Sequence, residues 1–437
     1  MGREVENLLA LVPGHSFLTY LYPMYTTIDS SRSCYPAKPA GSHLFLCALM
    51  LLVSCHTAPA KRYGFLTMLG QDTISAETIT RHGNTLETDE VDRFPRVRIR
   101  HTVVKLNDDG SIRHLVMEIH TPSEPSGERD RVVVADVAHN NVHLSKTDST
   151  GTVNRDFPTG GSMIVAHVPQ MYSLYELYSA AALKRLAASK SAAGGAVQLR
   201  QFYIDREFDR FPLGHATVTP AGKGKVEITH DWLSGTGEAM VDSGDDMLSY
   251  SGGRTTYKVE VKRLAAGPDV KAIAAGFAAK ETAAGGVRSL SVRDTVRTQI
   301  GNVLFTIDYS RPLLRGRTLL GDVIPYDRVW RTGANAATQL TTTAPIKLGG
   351  MAVPAGTYTL FTAPHTNRVD LIVNKESGEW GTDYNGSLNL GTIRMTSEVA
   401  ATPVEEFTIS VLPGDARHGR LVLEWGAFRW IAPIEVR

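Results

Sequence analysis

One stretch of this chain constrains its fold more than any other. Residues 171–189 read MYSLYELYSAAALKRLAAS, without Gly or Pro, and Leu174, Tyr175, Tyr178, Ala182 and Arg185 recur at helical spacing. The spacing predicts a helix over 171–189 that ends near Gly194-Gly195. On both sides the pattern is that of strands. Arg96-Val-Arg-Ile-Arg100 alternates basic and apolar residues, as a half-buried strand does, and residues 102–106 continue extended. Asn107-Asp-Asp-Gly110 is a turn, and 112–120 returns as the second strand of a hairpin. Residues 132–144 add further β-like sequence. Strand signals resume at 197–203, 215–220, 225–230 and 237–241, and beyond the turn Asp242-Ser-Gly-Asp-Asp246 at 247–250 and 255–262. One helix among so many strands predicts a mainly β fold. Over 65–264 the expectation is a curved antiparallel sheet, or half-barrel, wrapped around that helix.

This element order is similar to the half-barrels of periplasmic lipid- and lipoprotein-binding proteins. Residues 265–288 are Ala/Gly-rich and predict a short helix followed by a linker. From 289 to 437 short strands recur between turns, which predicts a β-sandwich.

The first 54 residues read differently. Residues 44–54, LFLCALMLLVS, form an apolar run of 11. A bilayer-spanning helix needs about 20 apolar residues, whereas the core of a secretory signal needs about 7–15. The run therefore predicts a leader over 1–54, with residues 1–23 upstream of an alternative start at Met24. Leu52-Val53-Ser54-Cys55 resembles the lipobox of bacterial lipoproteins. That resemblance implies cleavage before Cys55, lipid attachment to its thiol and a place in the bacterial cell envelope, at the outer membrane or in the periplasm. Residues 55–64 would then be a tether. The chain has three cysteines, Cys34, Cys47 and Cys55. None lies beyond residue 55, so no disulfide framework and no cysteine nucleophile are expected in the mature part.

In the C-terminal third, a series of ordered motifs resembles the DUF2911 family of exported bacterial proteins of unknown function. These are Tyr309-Ser-Arg-Pro312, Gly316-Arg317, Tyr326-Asp-Arg-Val-Trp-Arg-Thr-Gly-Ala-Asn335, Pro354-Ala-Gly-Thr-Tyr-Thr-Leu-Phe361, Asn374-Lys375 and Trp380-Gly381. The resemblance brings no established activity. Many members carry an acidic residue after the Asn of Gly-Ala-Asn, where this chain has Ala336. Arg311, Arg317, Arg331 and Asn335 allow two readings. Either the three guanidiniums converge on an anionic or carboxylate ligand, or these residues bond to backbone carbonyls and lock loops.

Catalytic motifs are sparse. Ser249-Tyr-Ser251-Gly-Gly253 lacks the first Gly and the strand–turn–helix setting of a nucleophile elbow. Two groups are candidates for a divalent metal. On the strand 112–120, His114, Glu118 and His120 share one face, and His139 and His143 could join them with Asp136 nearby, a donor set suited to Zn²⁺. Asp242, Asp245 and Asp246, or Asp108 and Asp109, offer hard oxygens for Ca²⁺. Against these stand an ordinary solvated sheet face and ordinary turns. A formal charge of +1 gives no support for electrostatic capture of nucleic acid or of an acidic polymer, and no nucleic-acid partner is expected. The reading that follows is an exported, lipid-anchored envelope protein with membrane contact through its anchor and a small or hydrophobic ligand. The alternatives are an exported hydrolase of a small ester, lactone or glycan, divalent-metal dependent, and a structural or interaction role.

Overall fold

The computed structural model describes residues 60–436 apart from 94, 124–126, 139, 190–194, 205–212, 232 and 287–288. The leader, Cys55 and His139 lie outside the described residues. The chain runs through β1 (Lys61–Leu69), β2 (Asp72–His82), β3 (Thr85–Arg93), β4 (Val97–Leu106), β5 (Ile112–His120), β6 (Arg131–Ala138), β7 (Asn141–Asp148), β8 (Gly151–Pro158) and β9 (Ile164–His167). After α1 (Tyr172–Ala188) come β10 (Val197–Tyr203), β11 (Gly214–Gly222), β12 (Lys225–His230), β13 (Leu233–Val241), β14 (Met247–Ser251) and β15 (Glu260–Leu264). These strands make one sheet of 15, ordered β8 to β1, then β15 down to β9. Nearly every pairing is an antiparallel meander. Two are not: β1 against β15 joins the two runs, and β9 lies parallel to β10 across the α1 crossover.

The predicted helix is α1, and its first two turns are buried on every side. A single apolar cluster links it to inward residues of strands from β1 to β15, among them Phe65, Leu115, Leu144, Leu199 and Val261. The sheet therefore wraps the helix, as an alternating sheet with one apolar face must to keep that face dry. The Ala/Gly-rich stretch contains α2 (Val270–Ala283), capped by the Asp269 carboxylate at Ala272 N, 2.9 Å. Its Val270, Ala274 and Phe277 pack on Ala76, Val91 and Val97, on the outer face of β2–β4. Much of the predicted linker is thus a docked helix, because its few large apolar residues fall on one stripe.

The second sheet contains β16 (Ser291–Ile300), β17 (Val303–Pro312), β18 (Thr338–Thr342), β19 (Ile346–Leu348), β20 (Met351–Val353), β21 (Gly356–Pro364), β22 (Val369–Asn374), β23 (Asn389–Pro413) and β24 (His418–Val436). Its order is β16-β17-β18-β21-β22-β23-β24-β19-β20. β23 pairs with β22 near its start and with β24 from Thr396 onward, so the long strand carries the sheet from one layer into the other. The enclosed core holds Phe305, Tyr309, Phe407, Trp425 and Trp430. The result is the expected mainly β architecture, a curved sheet around one helix followed by a sandwich. No helix among the described residues is long and apolar enough to cross a membrane.

Candidate functional site

The motif segments of the C-terminal third, far apart in sequence, meet in space. The loop between β17 and β18 is pinned to β21 by Trp330, which exchanges backbone hydrogen bonds with Thr362 at 2.7 and 2.8 Å. Gly333 sits against the end of β17, where a Cβ would stand 2.9 Å from the Ser310 carbonyl. Thr338 Oγ1 donates to the Thr332 carbonyl at 2.6 Å. Ala336 bridges Trp380, and Gly381 N donates to the Asn335 carbonyl at 3.0 Å. Four non-glycine residues of this loop, Arg315, Asp327, Thr332 and Asn335, hold φ of 53°, 58°, 51° and 60°. Left-handed backbone is costly for a β-branched residue such as Thr332 and persists only where its surroundings enforce it.

Arg331 lies at the centre of this junction. Its stem passes directly over Gly381, where a Cβ would stand 2.0 Å from Arg331 Cδ. Trp380-Gly381 therefore accompanies the Arg-Thr-Gly-Ala-Asn motif for a steric reason: only glycine leaves room for the arginine. Among the described residues Arg331 Nε is buried with no hydrogen-bond partner, and burial lowers the guanidinium pKa from its usual value. Both carboxylate oxygens of Glu379, two residues before Gly381, are buried without partners as well. Trp380 is 53% exposed beside them.

The other arginines are engaged elsewhere. Arg311 donates to the Phe407 carbonyl, Thr408 Oγ1 and Asp294, and pairs with Glu406 at 3.1 Å. Arg317 donates to the carbonyls of Leu314 and Leu313 at 2.9 and 2.7 Å. Both ties are the loop-locking kind. Asn335 contributes its carbonyl to Gly381. Of the four residues, the structure brings Arg331 and Asn335 together at one junction.

The candidate metal ligands are spread over the outer face of the first sheet. His114 Nδ1 meets Asp136 at 2.7 Å, His143 Nδ1 meets Asp156 at 3.0 Å, and His120 Nδ1 meets Asp130 at 2.7 Å. His114, Asp136, His143 and Asp156 stand in one cross-strand row. Each imidazole leans one strand onward to its own aspartate, so His114 and His143 do not converge. Glu118 faces His101 on β4 rather than another of these histidines. In the turn 242–246, Asp242 Oδ1 accepts from Gly244 N and Asp246 N at 2.8 and 3.0 Å. Asp246 pairs with Lys61, and Asp245 takes a left-handed φ of 64°. Asp109 accepts from Ser111 N and Oγ, and Asp108 from Asn84. Among the described residues no three His, Cys, Asp or Glu side chains form a group able to hold a metal.

A charged interior that the sequence reading missed lies beneath α1. Glu77, Glu90 and Arg100 stand in register across β2, β3 and β4. Arg100 is 0% exposed and bonds Glu90 at 2.6 Å and Asp92 at 2.7 Å. The Glu77 carboxylate accepts from Tyr172 N and from Ser173 N, the latter at 3.1 Å, so a strand side chain caps the start of α1. One turn on, Glu176 accepts from Tyr63 Oη, Met247 N and Arg263, whose guanidinium lies 3.7 Å from the Tyr63 ring centre. Beyond it Tyr172, Tyr175, Tyr178, Tyr250, His167 and His230 stack edge and face, and burial drives both imidazoles to the neutral form. The available signal was phase: Glu77, Glu90 and Arg100 share strand phase with Ile79, Leu86 and Val104.

The fold and this junction define a two-part, mainly β protein whose second part is built around one set of converging motifs. Residues 291–434, the C-terminal third, match the family described as protein of unknown function, DUF2911. No curated protein matches the chain. A DUF1089-family protein of Pseudomonas aeruginosa is similar at 14% identity, covering 42% of this chain and 93% of its own, with a TM-score of 0.31. A β-barrel-like protein of the DUF1849 family from Brucella abortus is similar at 9% identity, covering 47% of this chain and 94% of its own, with a TM-score of 0.29.

Proposed function

We propose that this is an exported, lipid-anchored bacterial envelope protein whose DUF2911 module binds a small anionic ligand at Arg331. The observation that carries the ligand reading is a half-buried guanidinium without a carboxylate partner among the described residues, built over Gly381 and flanked by an exposed Trp380. A charged group withdrawn from water without a counterion costs stability, and a ligand carboxylate or phosphate would offset that cost through a charge-assisted, two-point contact. The export reading rests on the apolar run 44–54 and on Cys55 after Leu-Val-Ser.

Thermal-shift and calorimetric screening with carboxylate and phosphate metabolites tests the ligand reading. Arg331→Ala should abolish a binding signal seen in the parent. Arg331→Lys, which keeps the charge but loses the fork, should retain part of it. Ligands that bind equally well to the parent and to Arg331→Ala would refute the site. Cell fractionation tests the anchor: Cys55→Ala should move the protein from membranes to the soluble fraction, and unchanged partition would refute it.

A further inference from the structure

The segment between β22 and β23 covers a small aromatic cluster on the second sheet, and we propose that this cover encloses a site for a primary ammonium group, with the Glu379 carboxylate as its acceptor. β18, β21 and β22 turn Leu340, Leu360, Leu371 and Val373 into the enclosed core. Phe361 and Ile372 are one residue out of phase with them and stand on the opposite face. There they form a separate cluster with Ala337, against which Tyr384 of the covering segment packs. The Tyr384 and Phe361 ring centres are 4.8 Å apart, edge to face. The motif residue Asn374 ties the cover down: its Nδ2 donates to the Asn385 carbonyl at 2.8 Å and to Asn389 Oδ1 at 2.9 Å. Asn389 Nδ2 in turn donates to Tyr384 Oη at 2.7 Å.

Glu379 belongs to the same neighbourhood. Residues 335–337 and 379–381 run antiparallel, bridged at Ala336 and Trp380, with Ala337 N donating to the Glu379 carbonyl at 3.3 Å and Gly381 N to that of Asn335 at 3.0 Å. Opposite residues of such a pair share a face with Cβ atoms about 5 Å apart, so the Glu379 side chain stands beside Ala337 and its aromatic neighbours. Both carboxylate oxygens are buried, and among the described residues neither has a hydrogen-bond partner. Arg331 crosses the ladder two residues further on, at Gly381, and makes no ion pair with Glu379. A carboxylate withdrawn from water without donors is costly, and the group that offsets this must bring both N–H donors and positive charge. A primary ammonium brings three such donors, and aromatic rings at its side attract an organic cation. The edge of the cover at Glu379 is held by long bonds, 3.2 Å from Gly378 N to Gln339 Oε1 and 3.3 Å from Ala337 N. The far end is tied at 2.8 and 2.9 Å, so a small amine enters from the Glu379 edge.

Calorimetric titration of the full-length chain with ethylammonium chloride tests the site. Tetramethylammonium chloride at the same ionic strength is the control, because it carries the charge without N–H donors. Ethylammonium should bind and tetramethylammonium should not. Glu379→Gln should lose affinity for ethylammonium by about tenfold, the worth of one charge-assisted contact. Asp383→Asn, which changes an exposed acid of the same segment, should match the parent. Should Glu379→Gln fail to fold, the carboxyl carbon resonance of Glu379 is followed in the parent, where ethylammonium alone should shift it. Equal binding of the two cations, no binding of ethylammonium by the parent, or binding unchanged in folded Glu379→Gln would overturn the proposal. The probe carries no anionic group, so its outcome is separate from that of anion binding at Arg331.

Discussion

At the residue scale two positions show most directly how chemistry is built into this fold. Gly381 exists to make room: Gly381→Ala would place a Cβ 2.0 Å from Arg331 Cδ. The arginine must move, so Gly381→Ala should weaken anion binding nearly as much as Arg331→Ala while costing about 1–3 kcal/mol of stability from overpacking. Parallel calorimetry and chemical denaturation check both numbers. Glu77 is the second. Burial raises its carboxyl to about 7 against the pull of the α1 amides it caps. The folded state therefore holds a proton that the unfolded chain releases near its ordinary value of about 4.3. The contribution to stability is complete below that value and is lost as pH rises through about 7, by an amount on the order of 1–3 kcal/mol. Glu77→Gln should flatten the slope of melting temperature against pH between about 4.5 and 7. An unchanged slope would mean that another group carries it.

At the element scale α1 is held by charge as well as by packing. Its buried length would form a helix from sequence alone, yet its position is fixed by Glu77 at its start and by Glu176 facing β1, β14 and β15. Glu176→Ala would leave Tyr63 Oη, Met247 N and Arg263 without their shared acceptor. A loss of about 1–3 kcal/mol is expected, because buried donors lose their acceptor while Arg263 keeps Asp246 at 3.9 Å and the Met247 carbonyl at 2.9 Å. Urea denaturation measures it, and a loss below about 1 kcal/mol would show that water enters to replace the carboxylate. The helix was legible because helical spacing and the absence of Gly and Pro agree over 171–189. The charges that seat it were not, because periodicity marks which face is apolar and gives no sign of a polar row inside that face. The motif loop 321–337 was legible as important and illegible as geometry, since Trp380-Gly381 reaches it only through tertiary contact.

At the scale of the whole molecule the two sheets are joined through Arg315. Its backbone carbonyl accepts from Gln71 N at 3.0 Å in the β1–β2 turn, and its side chain reaches Asp72 and the Leu290 carbonyl at 2.9 Å each. Its φ of 53° marks a strained fit. Arg315→Ala should weaken this junction, and calorimetry should show one unfolding transition broadening toward two. A single sharp transition would show that apolar packing carries the junction without it. By itself the sequence determined the mainly β class, the one enclosed helix and the motif-bearing C-terminal third, because hydrophobic period and turn chemistry are local properties. Only the tertiary structure decided which charges share a neighbourhood. It turned Arg311 and Arg317 into loop ties, sent His114 and His143 to separate aspartates, and left Arg331 without a carboxylate partner among the described residues. Pairing of charges depends on distances between strands and loops far apart in the chain, and no local pattern encodes those distances.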